Sequence, residues 1–250
     1  MNYPGKVIKK GCTDRSLVKS VQRRLNLVTG SKLLVDGDFG SKTQQAVKSF
    51  QALHRDQNGN PLEIDGMVGA ITWYALFGAT SIPIIETTTN KLLEKVVAIA
   101  IKELGVMEDP PGSNLGKRVE EYQVTCGIGK GSFWCAAFVY WCFNEAAKAL
   151  ERSNPVLKTG GCMYHWNKTT AKKVGWKDAY DKPSLIKPGY IFIINTGGYS
   201  GHTGIVEKVE GGYVHTIEGN SNTSGSRNGI GVFRNKRKIV KINRGFINYS

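Results

Sequence analysis

The spacing of apolar residues divides the chain into a helical N-terminal part and a longer part that mixes helices with strands. Apolar positions at intervals of three and four residues predict helices over about residues 14–26 and 91–104. Strict alternation of apolar and polar positions over residues 201–209 and 213–218 predicts two strands instead. Residues 211–212 are both glycine, so these two strands are expected to form a hairpin.

An internal repeat organises the N-terminal part. Residues 36–43 read DGDFGSKT and residues 65–72 read DGMVGAIT, and each copy precedes apolar residues at helical spacing. Aspartate and glycine favour a tight turn, the second glycine would permit an unusual backbone angle, and the next residues would start a helix. We therefore interpret the repeated positions as fold-forming rather than ligand-binding; they are Asp36, Gly40, Asp65 and Gly69.

Three short helices with this doubled turn resemble the peptidoglycan-binding domain of the first type, over roughly residues 10–78. The resemblance implies that glycan or stem peptide binds in a shallow groove, without identifying the contact residues. Residues 79–90 show no periodic pattern and are typical of a linker. The predicted organisation is a binding domain at residues 1–78, a linker at 79–90 and a second domain at 91–250.

The charge balance favours polyanionic partners. With 34 basic and 20 acidic residues, the net charge of +14 suits nucleic acid, anionic lipid or cell-wall polymers, and charge alone does not choose among them. No RNA-binding aromatic motif or DNA-binding helix pair is recognisable, so we expect no specific nucleic-acid partner. No run of 18 apolar residues suggests a transmembrane segment. The N-terminal residues lack the apolar stretch of a signal peptide, so we expect synthesis in the cytoplasm and release by another route.

The cysteines are expected to be reduced thiols. Their number is odd, no two are spaced as Cys-x-x-Cys, and no signal peptide is recognised, which argues against a disulfide framework. No cysteine or histidine pair has the spacing of zinc ligands, so we predict no metal and no cofactor. The five are Cys12, Cys126, Cys135, Cys142 and Cys162.

Cys135 is the candidate nucleophile. A glycine-rich loop precedes it, Ser132 is a suitable N-cap, and a helix is predicted from there to about residue 150. This places Cys135 in the first helical turn, where the partial positive charge of the helix N-terminus favours a thiolate. Cys142 lies two turns further along and lacks that advantage, so we interpret it as a core residue.

A thiol nucleophile needs a base, and the predicted hairpin offers one. His202 lies on the first strand, and Glu218 lies near the end of the second, so they would be neighbours if the register allows. Glu218 would then fix the tautomer and orientation of the imidazole, and Asn220 would also help. His215 points away from the Glu218 face of its strand and is the less favoured alternative base.

Four motifs occur in the order and approximate spacing of the CHAP family of cysteine- and histidine-dependent amidohydrolases and peptidases. They are FWCAAFVYW at 133–141, KPGYI at 187–191, GHTGIVE at 201–207 and IEGN at 217–220. The resemblance spans about residues 91–250. It implies a papain-like domain with helices packed on an antiparallel sheet, which makes the whole chain an α+β protein.

The resemblance also implies roles for particular residues. It assigns the nucleophile to Cys135, the base to His202, and orienting or polar roles to Glu218 and Asn220. The expected reaction is cleavage of the muramoyl–alanine amide or of a peptide bond in the cross-bridge or stem peptide. Trp134, beside the nucleophile, would either wall the substrate cleft or belong to the core.

Two features depart from many relatives. Tyr190 stands where many of them carry an acidic residue before a strand, but that position lies outside the catalytic group. Some relatives bind calcium through an aspartate-rich loop near the cysteine. Glu108, Asp109 and Asn114 hardly make such a loop, so no required metal is predicted.

These observations favour a modular wall hydrolase similar to a phage endolysin, acting as a monomer on bacterial peptidoglycan. An antibacterial effector injected into a competitor would have the same parts. A non-catalytic wall-binding or virion structural protein is a second alternative, although the intact set of candidate catalytic residues argues against it. A papain-like protease or acyltransferase acting on proteins is a third, against which the wall-binding repeat argues.

Overall fold

The computed structural model describes residues 1–78, 84–222 and 229–250. It divides into two compact units. The first contains residues 1–84 with 180–183 and 210–212, and the second contains the remainder. The predicted linker falls partly on residues 79–83, outside the described residues, and the predicted domain boundaries stay predictions.

The described helices lie mostly in the N-terminal part and the strands mostly in the C-terminal part, the order of an α+β protein. The helices are α1 Arg15–Thr29, α2 Ser41–Leu53, α3 Ala70–Phe77, α4 Lys91–Lys102, α5 Lys117–Cys126, α6 Cys135–Lys148, α7 Cys162–Lys168 and α8 Trp176–Asp181. The strands are β1 Ile84–Ile85, β2 Lys172–Gly175, β3 Ile191–Gly197, β4 Ser200–Glu210, β5 Tyr213–Ser221, β6 Gly231–Lys238 and β7 Gly245–Asn248. The predicted fold class, a three-helix N-terminal domain plus helices on an antiparallel sheet, is confirmed. No helix of the described part is long and apolar enough to cross a bilayer.

Helices α1, α2 and α3 enclose one apolar core in the first unit. Asp14 caps α1 by accepting a hydrogen bond from the Leu17 N–H at 3.2 Å, as the sequence pattern suggests for a helix that begins there. Val21, Phe50 and Trp73, one from each helix, are almost fully buried in this core. Removing this apolar surface from water is the main stabilisation of so small a unit.

A buried glutamine on α1 locks the first copy of the repeat. The Nε2 group of Gln22 donates to Oδ1 of Asp36 at 2.9 Å and to Oγ1 of Thr43 at 3.2 Å. Its Oε1 atom accepts from the N–H of Gly37 at 2.9 Å. One side chain therefore satisfies the turn and the start of the next helix together, and Asp36 serves the fold, as predicted.

The second copy repeats this network atom for atom. Gln51 of α2 donates to Oδ1 of Asp65 at 2.8 Å and to Oγ1 of Thr72 at 3.2 Å, and it accepts from Gly66 N–H at 2.8 Å. Each glutamine precedes its aspartate by 14 residues. The repeat unit is thus a helix, its glutamine and the following turn, which is longer than the eight-residue pattern visible in the sequence.

The prediction for the glycines of the repeat needs a correction. The first glycine of each copy has a left-handed backbone, with φ of 81° at Gly37 and 73° at Gly66. Gly40 and Gly69 instead have ordinary φ values of −83° and −85° and lie at the N-caps of α2 and α3. The backbone freedom of glycine is therefore needed at the turn itself, three residues before the N-cap of the helix.

The second unit is built on a sheet with the order β2-β7-β3-β4-β5-β6. Strand β2 pairs with β7, β7 with β3, β3 with β4, and β5 with β6, and each of these pairs is antiparallel. Helix α6 packs against this sheet beside β5, where a Cβ atom on Gly219 would lie 2.6 Å from Cβ of Phe138 and 2.7 Å from the Trp134 ring. Gly219 therefore allows the end of β5 to approach the start of α6 closely.

Candidate active site

Cys135 is the first residue of α6 and is 95% buried, with 5% of its surface exposed. The helix begins later than predicted: its N-cap is Trp134 rather than Ser132, no side chain caps it, and it ends at Lys148 rather than near residue 150. The loop before it is held by Gln123, whose Nε2 donates to the carbonyl oxygen of Ser132 at 2.8 Å. Because the first N–H groups of a helix have no partner within it, the start of α6 favours negative charge beside Cys135.

The hairpin of β4 and β5 brings His202 and Glu218 together, in the register that the sequence required. Nε2 of His202 lies 2.8 Å from Oε2 of Glu218, and both side chains are almost fully buried. A Cβ atom on Gly204 would lie 2.8 Å from Cγ of Glu218, so this glycine leaves room for the carboxylate. His215 lies three residues before Glu218 on β5 and therefore on the opposite face of the strand.

His202 also interacts electrostatically with the thiol of Cys135. Within the described part of the chain, Nδ1 of His202 is buried and has no conventional hydrogen-bond partner. Burial acts to lower the pKa of His202, but its interactions with Cys135 and Glu218 outweigh burial and raise the pKa to about 9. A protonated imidazole between a thiol and a carboxylate stabilises the thiolate form of Cys135.

Cys162 contacts Cys135, the candidate nucleophile, although no sequence motif indicates a role for Cys162. Its Sγ lies 3.6 Å from Sγ of Cys135, and both thiols are buried. A hydrogen bond from Cys162 and the nearby His202 hold the pKa of Cys135 well below its usual range, against the effect of burial. The same contact and burial raise the pKa of Cys162, so Cys162 is the neutral donor of the pair.

Glu218 is held by more donors than the imidazole alone. Arg237 donates through Nε to Oε1 and through Nη2 to Oε2, both at 2.6 Å. Thr216 donates to Oε1 at 2.5 Å and Ser221 donates to Oε2 at 3.2 Å. Burial acts to raise the pKa of Glu218, but Arg237 and His202 together lower it to about 2. The carboxylate is therefore ionised, and its orientation is fixed.

Asn220 contacts the backbone before Cys135, whereas the sequence suggested that it would help to orient His202. It is fully buried with a left-handed φ of 51°, an uncommon conformation for a residue other than glycine. In the amide orientation that satisfies both groups, its oxygen accepts from Trp134 N–H and its nitrogen donates to the Gly229 carbonyl, each at 3.2 Å. Asn220 thus supports the backbone immediately before Cys135, whereas Glu218 contacts His202.

Of the two places that the sequence left open for Trp134, cleft wall or core, the structure shows the core. Trp134 is fully buried, and its Nε1–H donates to Oε1 of Glu108 at 2.8 Å, so it is a core residue. A cleft of about 180 Å³ opens at Cys135, and its rim carries Phe133 and Tyr199, which are 60% and 93% exposed. Backbone of Gly160, Gly161 and Gly201 forms much of the remaining wall.

The described residues contain no group of three or more His, Cys, Asp or Glu side chains that would hold a metal ion. Glu108 accepts the hydrogen bond from Nε1–H of Trp134. The structure brings a thiol, an imidazole and a carboxylate together beside a narrow cleft.

Comparison with protein-family models gives two matches. Residues 14–76 match a putative peptidoglycan binding domain, and residues 127–220 match the CHAP domain. No significant match was found among curated proteins or among solved structures. The CHAP match contains Cys135, His202 and Glu218, and it ends at Asn220. The chain therefore carries a peptidoglycan-binding domain followed by a CHAP domain of the cysteine- and histidine-dependent amidohydrolases and peptidases, a pairing that indicates a cell-wall hydrolase.

Proposed function

We propose that this protein hydrolyses an amide bond of bacterial peptidoglycan, with Cys135 as nucleophile, His202 as base and Glu218 as the residue that orients the base. The observation that carries the proposal is the buried His202–Glu218 pair, which interacts electrostatically with the thiol of Cys135 at an open cleft. The bond is either the muramoyl–alanine amide or a peptide bond of the cross-bridge or stem peptide.

In the first step, the Cys135 thiolate attacks the carbonyl carbon of the wall amide. The electron pair of the carbonyl moves to oxygen, which the free N–H groups at the start of α6 would stabilise. His202 gives its proton to the amine as the carbon–nitrogen bond breaks, leaving a thioester on Cys135. Glu218 keeps the imidazole in the tautomer that this transfer requires.

In the second step, neutral His202 takes a proton from water, and the resulting hydroxide attacks the thioester. The carbon–sulfur bond breaks, the wall fragment leaves as a carboxylic acid, and Cys135 returns as a thiolate beside a protonated His202. Asn220 contributes indirectly, by holding the backbone of Trp134 on which the position of the nucleophile depends.

The N-terminal domain would keep the enzyme on its insoluble substrate. Attachment raises the local concentration of scissile bonds around the catalytic domain without adding any contact in the cleft. A protein with a net charge of +14 is also attracted to anionic wall polymers, in a way that salt would weaken.

We further propose a role as a phage endolysin, because binding and cleavage of the wall in one chain suit an enzyme that must act quickly on the wall of its host. An effector injected by a competitor would use the same two domains. A neighbouring gene for a membrane-permeabilising protein supports the endolysin, and a neighbouring immunity gene supports the effector.

Digestion of purified sacculi tests the proposed activity. The wild type, Cys135→Ser and the control Cys12→Ser are compared, and released fragments are identified by mass spectrometry. Cys12 is a partly exposed thiol of the binding domain, so its variant controls for the substitution itself. We expect fragments from the wild type and from Cys12→Ser alone, and their new termini name the bond. If Cys135→Ser also releases them, the nucleophile is misassigned; if no variant does while all pellet with sacculi, the protein is a binder.

A further inference from the structure

We propose that Arg237 is a positioning residue of the catalytic group: its guanidinium keeps Glu218 ionised and aimed at His202, and thereby sets the pH range in which Cys135 is a thiolate. This inference rests on the proposed function. No part of the CHAP match reaches Arg237, which lies 17 residues beyond its end at residue 220.

The geometry is that of a two-pronged ion pair in a mostly buried site. Nε and Nη2 of Arg237 each lie 2.6 Å from a different oxygen of Glu218. The Glu218 side chain is fully buried, and only 17% of the Arg237 side chain is exposed. Such a fork fixes the plane of the carboxylate as well as its charge. Because Oε2 also contacts His202, that plane determines where the imidazole points.

The aromatic ring of Phe192 lies beside both the Arg237 guanidinium and the His202 ring. The Arg237 guanidinium lies 5.3 Å from the centre of the Phe192 ring, and that ring lies 5.9 Å from the His202 ring. Phe192 is fully buried on β3. The guanidinium therefore lies between an acceptor and an aromatic face, and water screens this charge less than that of an exposed arginine.

The charges of the site balance only when Arg237 is counted. The groups that face one another are Cys135, His202, Glu218 and Arg237, with the neutral thiol of Cys162 against the nucleophile. In the active form, two positive groups, imidazolium and guanidinium, match two negative groups, thiolate and carboxylate. Without Arg237, the buried set carries one uncompensated negative charge, which is unfavourable at low dielectric.

The missing charge can be made up by a proton on either of two groups. If the proton goes to Glu218, His202 loses the acceptor that favours its protonated form, and the thiolate loses its partner. If it goes to Cys135, the nucleophile is neutralised directly. Both routes raise the pH at which the thiolate appears, so the direction of the effect does not depend on which group takes the proton.

The chain contains a matched control on the same strand. Arg234 of β6 forms a similar fork with Glu207, with contacts of 2.8 to 3.0 Å, but 51% of its side chain is exposed. Replacing Arg234 removes the same chemical group from the same strand without touching Glu218. An exposed pair of this kind contributes little to stability.

The test measures the rate at which iodoacetamide alkylates Cys135 as a function of pH, with the modified peptide quantified by mass spectrometry. This readout reports the thiolate and needs no wall substrate. For Arg237→Gln, we expect the midpoint to move to higher pH by about 1 unit or more. For Arg234→Gln it should stay at the wild-type value. Arg237→Lys, which keeps the charge and loses the fork, should stay near the wild-type midpoint while hydrolysing sacculi more slowly.

A second comparison keeps the test decisive if Arg237→Gln folds poorly, since that variant leaves a buried carboxylate without its partner. Glu218→Gln and Glu218→Gln/Arg237→Gln contain no such carboxylate. If Arg237 acts mainly through Glu218, the loss of Arg237 shifts the midpoint much less in the Glu218→Gln background than in the wild type. An equal shift in both backgrounds, or a wild-type midpoint in folded Arg237→Gln, overturns the proposal. Sacculus digestion by Cys135→Ser would instead refute the proposed function, whatever the midpoints show.

Discussion

Sγ of Cys135 and Sγ of Cys162 lie 3.6 Å apart, at the first residues of α6 and α7. A disulfide bond is about 2.05 Å long, so a small movement of either side chain would be needed to join them. The two cysteines are 27 residues apart in sequence and belong to no recognised motif. In the reduced protein, the Cys162 thiol donates to the thiolate and stabilises it.

The first prediction concerns oxidation. Hydrogen peroxide should convert the Cys135 thiolate to a sulfenic acid, and the Cys162 thiol should then attack that sulfur, releasing water and forming a disulfide. Hydrolysis of sacculi should stop and should return after treatment with dithiothreitol. Peptide mapping checks this by finding the two cysteine peptides joined.

Cys162→Ala provides the comparison, because a sulfenic acid on Cys135 then has no neighbouring thiol. This variant should show the sulfenic acid, trapped with dimedone, in place of the joined peptides. A joined pair that contains any other cysteine, or full hydrolysis by peroxide-treated wild type, would contradict the account.

The second prediction is a bell-shaped pH profile of kcat/KM, with an acid limb set by Cys135 and an alkaline limb set by His202. The pKa of Cys135 is held well below its usual range, so activity should persist well into mildly acidic solution. The pKa of His202 is raised to about 9, so the imidazolium that protonates the leaving amine is present below that pH and is lost above it. The rate constant kcat/KM on soluble wall fragments should therefore fall on the alkaline side near pH 9.

Glu218→Gln separates the two limbs. The carboxylate contributes to the raised pKa of His202, so its loss should move the alkaline limb to lower pH. An alkaline limb that stays in place in this variant would show that Glu218 does not act on His202.

The third prediction concerns the twin glutamine networks of the binding domain. Gln22→Ala and Gln51→Ala should each lower the free energy of unfolding by roughly 1–3 kcal/mol, because each leaves several buried polar groups without partners. Urea unfolding followed by circular dichroism measures the change. Gln45→Ala, an exposed position on α2, should leave the transition where it is. An equal effect at residue 45 would contradict the importance of the networks.

The fourth prediction concerns the cleft rim. Phe133→Ala and Tyr199→Ala should raise KM for soluble wall fragments several-fold more than they lower kcat, since both aromatic side chains are exposed at the rim. Neither variant should unfold more easily than the wild type, because little buried surface is lost. A fall in kcat with an unchanged KM would place these residues in the chemistry rather than in binding.

Local patterns were sufficient to predict α1 to α4, α6 and the hairpin of β4 and β5, together with Cys135, His202 and Glu218 of the site. Helical spacing, the doubled turn and the paired glycines of the hairpin depend on neighbours in sequence, and His202 and Glu218 follow from that hairpin. Arg237 and Cys162 could not be found this way. Their partners lie 19 and 27 residues away on other elements, and neither residue type is unusual at its position.

The errors at the helix start have a single physical origin. Ser132 has the side chain of a good N-cap, but the glycine-rich loop continues to Trp134, and tertiary contacts decide where α6 begins. At the same helix start, Trp134 is buried in the core and Phe133 is exposed, a difference that the sequence pattern did not decide. Local propensity is a weak guide wherever packing overrides it.

Titration of the thiols against activity tests the central claim most directly. The full chain is treated at neutral pH with increasing iodoacetamide, and the alkylated fraction of each cysteine is compared with the remaining hydrolysis of sacculi. We predict that Cys135 reacts first and that activity falls in proportion to its alkylation, while Cys142, fully buried in the core, stays unmodified. Activity that survives complete alkylation of Cys135, or that follows the partly exposed Cys12 instead, would contradict its assignment as the nucleophile.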